Sequence, residues 1–250
     1  MKKLLLFDVD GTLVESGEQI SNSMSSLLNS LEKNNYELGI VGGGKLDKIL
    51  YQFNKQIYFS HYFTECGSVY YKNNVNNEFN LEEIYKKNIR NHYLYEDINI
   101  LIKLALEFIS NVNYTITGHF IDLRNGIIYI SLIGLSATHN ERENFININR
   151  FHNYKEQLLN LLINKATELN IIDKVDIVYG GSVGIAIYPT EYDKIQILEH
   201  IKTDNYSEIH YFGDKYLPDG NDYKLLHDFN VIGHNIDSVN DTIEILKTFK

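Results

Sequence analysis

Lys3-Leu4-Leu5-Leu6-Phe7-Asp8-Val9-Asp10-Gly11-Thr12 is the stretch that decides the fold. Four apolar residues, Leu4 to Phe7, run directly into two carboxylates one residue apart. A short unbroken apolar run predicts a strand buried on both faces, the usual state in a parallel sheet. The carboxylates then fall at the strand's end, where open α/β sheets bind ligands. Alternate residues of a strand point the same way, so Asp8 and Asp10 are expected to face one site. Gly11 lets the chain turn away. Thr12 offers a hydroxyl to a phosphate oxygen or to the turn. Two carboxylates this close at neutral pH call for a cation or a shared proton.

The chain has 250 residues, 44% hydrophobic and 22% charged. That is enough for one large or two small domains. A net charge of -10 speaks against a nucleic-acid partner, and no Lys/Arg cluster offsets it. An anionic substrate stays open, because a metal and a few arginines invert the local field. Cys66 is the lone cysteine, which forbids an intrachain disulfide and points to a reducing, cytoplasmic setting. The apolar run near the start breaks at Asp8, too early for a signal peptide. No stretch is long enough to predict a transmembrane helix, so no membrane partner is expected.

Ile20, Met24, Leu27, Leu28 and Leu31 recur at helical spacing. Residues 38–41 predict a second strand, followed by Gly42-Gly43-Gly44. Glycines there can present N–H groups to an anion at the start of the helix expected over 46–53; a plain loop is the other reading. Strand-like residues 69–71 and an Asn-rich turn at 73–77 close this segment. Next come a strongly apolar helix at 98–109 and a hairpin of 115–123 with 127–132 about Asn125-Gly126. A helix at 154–169 and strands at 175–179 and 183–188 complete an α+β layer. The α/β pattern returns with a helix over 192–201 and a strand at 209–212 ending in Gly213-Asp214. A short helix to His227, a strand at 230–233 and a helix over 241–249 finish the chain. The expected architecture is one α/β core domain, residues 1–81 and 188–250, interrupted by an inserted α+β domain, residues 82–187.

Asp8 and Asp10, Lys194, and Asp214 with Asp222 each fall at an α/β boundary. Together they suit phosphoryl transfer. Asp8 would attack phosphorus, and Asp10 would give and take back a proton. Lys194 would supply countercharge. Mg²⁺ is expected on Asp8, Asp10 (through its backbone carbonyl), Asp214 and Asp222.

The opening stretch resembles motif I of the haloacid dehalogenase (HAD) superfamily of phosphotransferases. The match is closer still to the eukaryotic-type phosphomannomutase family, over nearly all of residues 3–240. It rests on Phe7-Asp8-Val9-Asp10-Gly11-Thr12-Leu13, Val41-Gly42-Gly43, Phe120-Ile121-Asp122-Leu123-Arg124-Asn125-Gly126, Glu141-Arg142, Asp193-Lys194 and Pro218-Asp219-Gly220-Asn221-Asp222. The resemblance implies a HAD-like Rossmannoid core with a parallel sheet and an inserted α+β cap. It implies a Mg²⁺-dependent enzyme interconverting mannose 6-phosphate and mannose 1-phosphate, primed by a hexose bisphosphate and dimeric through its caps. On the residues alone Arg124 is a hairpin residue and Arg142 a helix-surface charge. The resemblance makes both of them substrate ligands, beside Gly43 and Gly44 in the core loop.

The departures concentrate where the family binds its substrate. Leu135 and Gly17 stand where the family has arginines. Gly184 and Ala186 replace Ser and Asp, Gly44 a serine, and Cys66 an asparagine. A charge-assisted hydrogen bond contributes roughly 1.5–3 kcal/mol, so losing two or three weakens binding by about 10²-fold or more. A capped phosphatase is therefore the alternative: with the second phosphate poorly held, water takes the phosphoryl group. A non-catalytic paralogue is the third reading, and the intact core residues speak against it.

Overall fold

Leu4, Leu5, Leu6 and Phe7 are completely buried in the computed structural model, which describes residues 2–34, 36–54, 56–74, 80–201 and 206–249. The chain divides into two compact units, Met1–Lys87 with Tyr192–Lys250, and Asn88–Glu191. The first unit opens with β1 (Lys3–Phe7), α1 (Asn22–Lys33), β2 (Tyr36–Val41), α2 (Leu46–Phe53), β3 (His61–Thr64), β4 (Val69–Asn73) and β5 (Leu81–Lys86). The second unit holds α3 (Tyr95–Ser110), β6 (Ile121–Leu123), β7 (Ile128–Ser131), α4 (His139–His152), α5 (Tyr154–Glu168), β8 (Val175–Gly180) and β9 (Gly184–Pro189). The first unit then resumes with α6 (Leu198–Ile201), β10 (Glu208–Gly213), α7 (Tyr223–Leu226), β11 (Ile232–Asn235) and α8 (Val239–Leu246).

The first unit is an α/β layer structure on a seven-stranded sheet, ordered β11-β10-β1-β2-β3-β4-β5. The strands from β11 to β3 are parallel, and β4 and β5 extend them antiparallel. Alternation along β1 feeds two cores. Leu5 and Phe7 join Met24, Leu28 and Leu31 of α1, Ile49 and Phe53 of α2 and Leu246 of α8. Leu4 and Leu6 join Phe63, Ile197, Leu198, Tyr211 and Leu225 on the other face. Each fully buried leucine contributes about 1.5–3 kcal/mol, so β1 is the best-anchored strand to carry a site. Ser21 starts α1 by accepting the Met24 N–H at 3.2 Å.

The second unit carries an antiparallel sheet, β6-β7-β9-β8. One face, with Ile128, Ile130, Ile177, Ile185 and Ile187, is buried, and α5 packs against β8. Thr138 and Glu141 form a reciprocal capping box at the start of α4.

Three local expectations change. The hairpin strand predicted from Thr115 is only β6, because His119 adopts φ 55° and ends the extended run. The single helix expected over 192–201 is split: Asp193 is extended (φ -70°, ψ 162°), and a 3-10 turn, Lys194–Ile197, precedes α6. Residues 82–86, expected to open the inserted domain, pair with β4 in the first unit's sheet. The Asn-rich turn at 73–77 lies partly outside the described residues. No helix among the described residues is long and apolar enough to cross a membrane.

Candidate active site

Asp8 is the first residue past β1, and its N–H donates to the Phe212 carbonyl at 2.9 Å. That places its side chain at the carboxyl end of the parallel strands. Lys194 Nζ lies 2.6 Å from Asp8 Oδ1 and 2.6 Å from Asp222 Oδ1. Lys194 is completely buried, which an ammonium tolerates only when paired. Burial opposes its charge, but Asp222 and Asp8 hold its pKa well above the usual lysine value. Burial pushes the Asp8 carboxyl up to about 7; Lys194 pulls it down, and Asp222 and Asp214 push it further up.

Oxygens of Asp8, Asp214 and Asp222 lie within 4.8 Å of one another. Three clustered carboxylates exceed the charge of the two lysines that pair with them, buried Lys194 and exposed Lys215. Asp214 Oδ1 is buried and has no hydrogen-bond partner among the described residues. Surplus negative charge beside an orphaned carboxylate oxygen is the condition a divalent cation relieves, so these residues fit Mg²⁺. Gly11, at φ 89°, is needed here: a Cβ on it would fall 2.6 Å from Asp214 Oδ2. Asp222 is differently engaged. Its Oδ1 accepts from Lys194 and from the Tyr211 hydroxyl, and its Oδ2 accepts the Lys215 N–H at 2.9 Å. Asp222, expected as a metal ligand, lies in this cluster and at the same time anchors Lys194.

Asp10 has hydrogen-bond partners of its own. Its Oδ2 accepts from Lys48 at 2.5 Å, and its Oδ1 accepts from Gln52 at 2.8 Å and from the Gly17 N–H at 3.0 Å. Burial would raise the Asp10 pKa, but Lys48 outweighs it, and the Gly17 and Gln52 hydrogen bonds help hold the carboxyl below its usual value. Strand alternation does not place the two carboxylates, because β1 ends at Phe7, before either of them. Each carboxylate has its own lysine. The Asp10 side chain lies outside the three-carboxylate cluster, which leaves its backbone carbonyl as its route to a cation.

Gly42-Gly43-Gly44 links β2 to α2, and the chain 65–66 straps it in place. Cys66 N–H donates to the Gly42 carbonyl at 2.9 Å, and Glu65 N–H to the Gly44 carbonyl at 3.1 Å. Burial pushes the Cys66 thiol up to about 12, which rules it out as a nucleophile at neutral pH.

In the second unit Arg124 donates through Nε to Asp122 at 2.7 Å. Arg142 donates to the carbonyls of Ala137 at 3.1 Å and Leu135 at 3.0 Å. Both arginines act on the phenol of Tyr129. The Arg124 guanidinium is 5.3 Å from its ring centroid, and its hydroxyl donates to the Gly180 carbonyl at 2.7 Å.

Residues 24–250 match the family profile described as eukaryotic phosphomannomutase. The chain belongs to the eukaryotic phosphomannomutase family. It is 32% identical over 247 residues to a phosphomannomutase of Dendrobium officinale, covering 98% of this chain and 92% of that one. A Saccharomyces cerevisiae phosphomannomutase is 31% identical over 246 residues, covering 97% and 92%. Among solved structures, the fold is shared with N-terminally truncated Plasmodium falciparum IMP-nucleotidase (TM-score 0.67, 17% identity, covering 99% and 70%). It is also shared with a trehalose-6-phosphate phosphatase related protein (TM-score 0.52, 15% identity, covering 98% and 95%). The protein is thus an enzyme, a phosphomannomutase-type phosphotransferase of the HAD superfamily.

Sequence reasoning missed Lys48, Gln52, Tyr129 and Tyr211. Gln52 carried a signal, a polar residue on the buried face of α2 beside Ile49 and Phe53. Lys48 lies one turn earlier on α2, which is the cue that pairs them. The two tyrosines carried no signal, since each reads as an ordinary strand residue.

Proposed function

We propose that this enzyme interconverts hexose 6-phosphate and hexose 1-phosphate, with mannose phosphates as the substrates, through an aspartyl-phosphate on Asp8. The observation that carries the reading is the pairing of Asp8 Oδ1 with Lys194 at 2.6 Å beside the open oxygen of Asp214. Asp8, Asp214 and the Asp10 carbonyl would hold Mg²⁺, which neutralises charge on phosphoryl oxygens when bound. A hexose bisphosphate primes the enzyme by leaving one phosphoryl group on Asp8.

The sugar hydroxyl then attacks phospho-Asp8 and loses its proton to Asp10, while the bond from phosphorus to the Asp8 oxygen breaks. In the reverse transfer Asp8 attacks the other phosphate and Asp10 returns the proton to the departing sugar oxygen. A carboxyl held below its usual pKa by Lys48 suits the first of these roles, because it enters the cycle as a base. Gly43 and Gly44 line the core loop, and Arg124 and Arg142 hold the phosphate that is not reacting.

The reading includes a homodimer through the cap units and a cytoplasmic setting. Ile100 and Leu106 of α3 are each 39% exposed, which supports a covered cap surface. A second reading, a phosphatase, is favoured by one observation. The described contacts of Arg124 and Arg142 are with Asp122 and with backbone carbonyls, and Gly184 and Ala186 offer no polar side chain.

The deciding experiment incubates the purified protein with Mg²⁺, a hexose bisphosphate and mannose 1-phosphate. Mannose 6-phosphate as product supports the mutase. Free phosphate and mannose support the phosphatase. Absence of phosphate on Asp8 by mass spectrometry, with Asp8→Asn as the blank, would sink both.

A further inference from the structure

The Lys194 ammonium has three N–H groups and three acceptors: Asp8 Oδ1 at 2.6 Å, Asp222 Oδ1 at 2.6 Å and the Tyr211 hydroxyl at 3.2 Å. Lys194, Tyr211 and Asp222 are all completely buried. An ammonium can only donate, so the Tyr211 oxygen accepts from it. The tyrosine's own proton then goes to Asp222 Oδ1. Burial, with Asp222 adding to it, holds the Tyr211 phenol well above its usual pKa, so that proton stays in place. Nζ lies 6.0 Å from the ring centroid, so the hydroxyl, not the ring face, is the nearer contact.

The Tyr211 ring itself packs among Leu4, Leu6, Phe63 and Ile197. A phenylalanine would serve that core equally well. The hydroxyl bonds Lys194 and Asp222 and no other residue among those described. It supplies the third acceptor, so that every N–H of the Lys194 ammonium is hydrogen-bonded and Nζ is held from three sides.

We propose that Tyr211 is a positioning residue for phosphoryl transfer: its hydroxyl locks the Lys194 ammonium against Asp8 Oδ1, so that the other Asp8 oxygen is presented for attack. The proposal rests on Asp8 being the nucleophile. Without the hydroxyl one N–H of Lys194 has no acceptor, Nζ loses one of the three contacts that fix it, and Asp8 loosens. The loss falls on formation of the aspartyl-phosphate and leaves substrate affinity alone.

The test is Tyr211→Phe with three readouts. Single-turnover labelling of Asp8 by acetyl phosphate and Mg²⁺ is expected to slow by about 10-fold, since small misplacements of a reacting group cost that much or more. KM for hexose 1-phosphate is expected to stay within about twofold. In ¹⁵N-lysine spectra the Lys194 ammonium, assigned by its loss in Lys194→Arg, is expected to be protected from hydrogen exchange in the wild type and to exchange faster in the variant. A purely structural tyrosine would lower Tm and leave the labelling rate and the ammonium exchange unchanged. Labelled wild type with an unchanged rate in Tyr211→Phe overturns this proposal alone. Unlabelled wild type overturns the nucleophile reading and the proposal with it. Should the variant not fold, the wild-type ammonium decides: protection supports the lock, and exchange as fast as a surface lysine overturns it.

Discussion

Lys48 Nζ lies 2.5 Å from Asp10 Oδ2, so the proposed acid/base has a lysine of its own, contributed by the helix that follows the glycine loop. Lys48 is the main reason that the Asp10 carboxyl sits below its usual value in spite of burial. Lys48→Met is expected to raise that pKa. Asp10 must be charged to accept the sugar's proton, so the acidic limb of the pH profile of kcat/KM should move to higher pH. One pKa unit is a tenfold change in the charged fraction, and activity on the acidic limb should fall by about that factor. Because the pair is partly exposed, high salt should produce part of the same shift in the wild type. A limb that does not move would show that Lys48 acts on something else.

Asp214 and Asp222 are predicted to behave oppositely toward Mg²⁺. A cation at 100 times its Kd raises stability by about 2.7 kcal/mol. Asp214→Asn removes the open oxygen and should abolish most of the Mg²⁺-induced rise in Tm. Asp222→Asn should keep that rise but melt lower without metal, because breaking a buried pair costs about 3–5 kcal/mol. Calorimetry with and without Mg²⁺ separates the two. Equal loss of the Mg²⁺ response in both would return Asp222 to the ligand set.

Gly184 and Tyr129 should be coupled. A Cβ on Gly184 would lie 2.4 Å from both Tyr129 Cζ and its hydroxyl oxygen. Gly184→Ser is therefore expected to destabilise the cap unit by about 1–3 kcal/mol, the usual cost of overpacking. In a Tyr129→Ala background part of that penalty should vanish, the remainder coming from the Ile130 carbonyl, 2.5 Å from the same Cβ; urea melts of the four proteins would measure the non-additivity. Additive effects would mean that the ring moves aside freely.

His234 should make the core unit acid-sensitive. Its ring stacks on Phe212 with centroids 4.3 Å apart, and His210 Nδ1 lies 3.0 Å from its Nε2. Burial, with the His210 charge second, lowers its pKa from 6.5 to about 4. A histidine whose folded pKa is depressed stabilises fully above its unfolded value, and that contribution is lost as pH falls from 6.5 through 4. His234→Phe should flatten the decline in Tm between those values while keeping the stacked ring. An unchanged slope would assign the acid sensitivity to other groups.

Much of this was legible in order along the chain. Leu4 to Phe7 announced a doubly buried strand, and all four are completely buried. Asp8, Lys194, Asp214 and Asp222 were legible as residue types at strand and helix ends. Their meeting is a consequence of β10 lying beside β1 in the sheet. The fate of Asp10 was not legible, because alternation fails once the strand ends. Nor was the division of labour between Asp214 and Asp222, which depends on which oxygen is already hydrogen-bonded. Tyr211 and Tyr129 were invisible because a tyrosine in a strand is ordinary until something polar meets its hydroxyl.

The sequence by itself determined the α/β core and the chemical types at the site. Apolar runs, glycines and carboxylates impose local conformations and reactivities that need no distant partner. The tertiary structure alone decided the pairings. Lys194 is 186 positions from Asp8 and still bonds it, while Lys48 takes Asp10. Partnership between charges is a matter of distance and burial, and both are set when the sheet assembles, not by position along the chain.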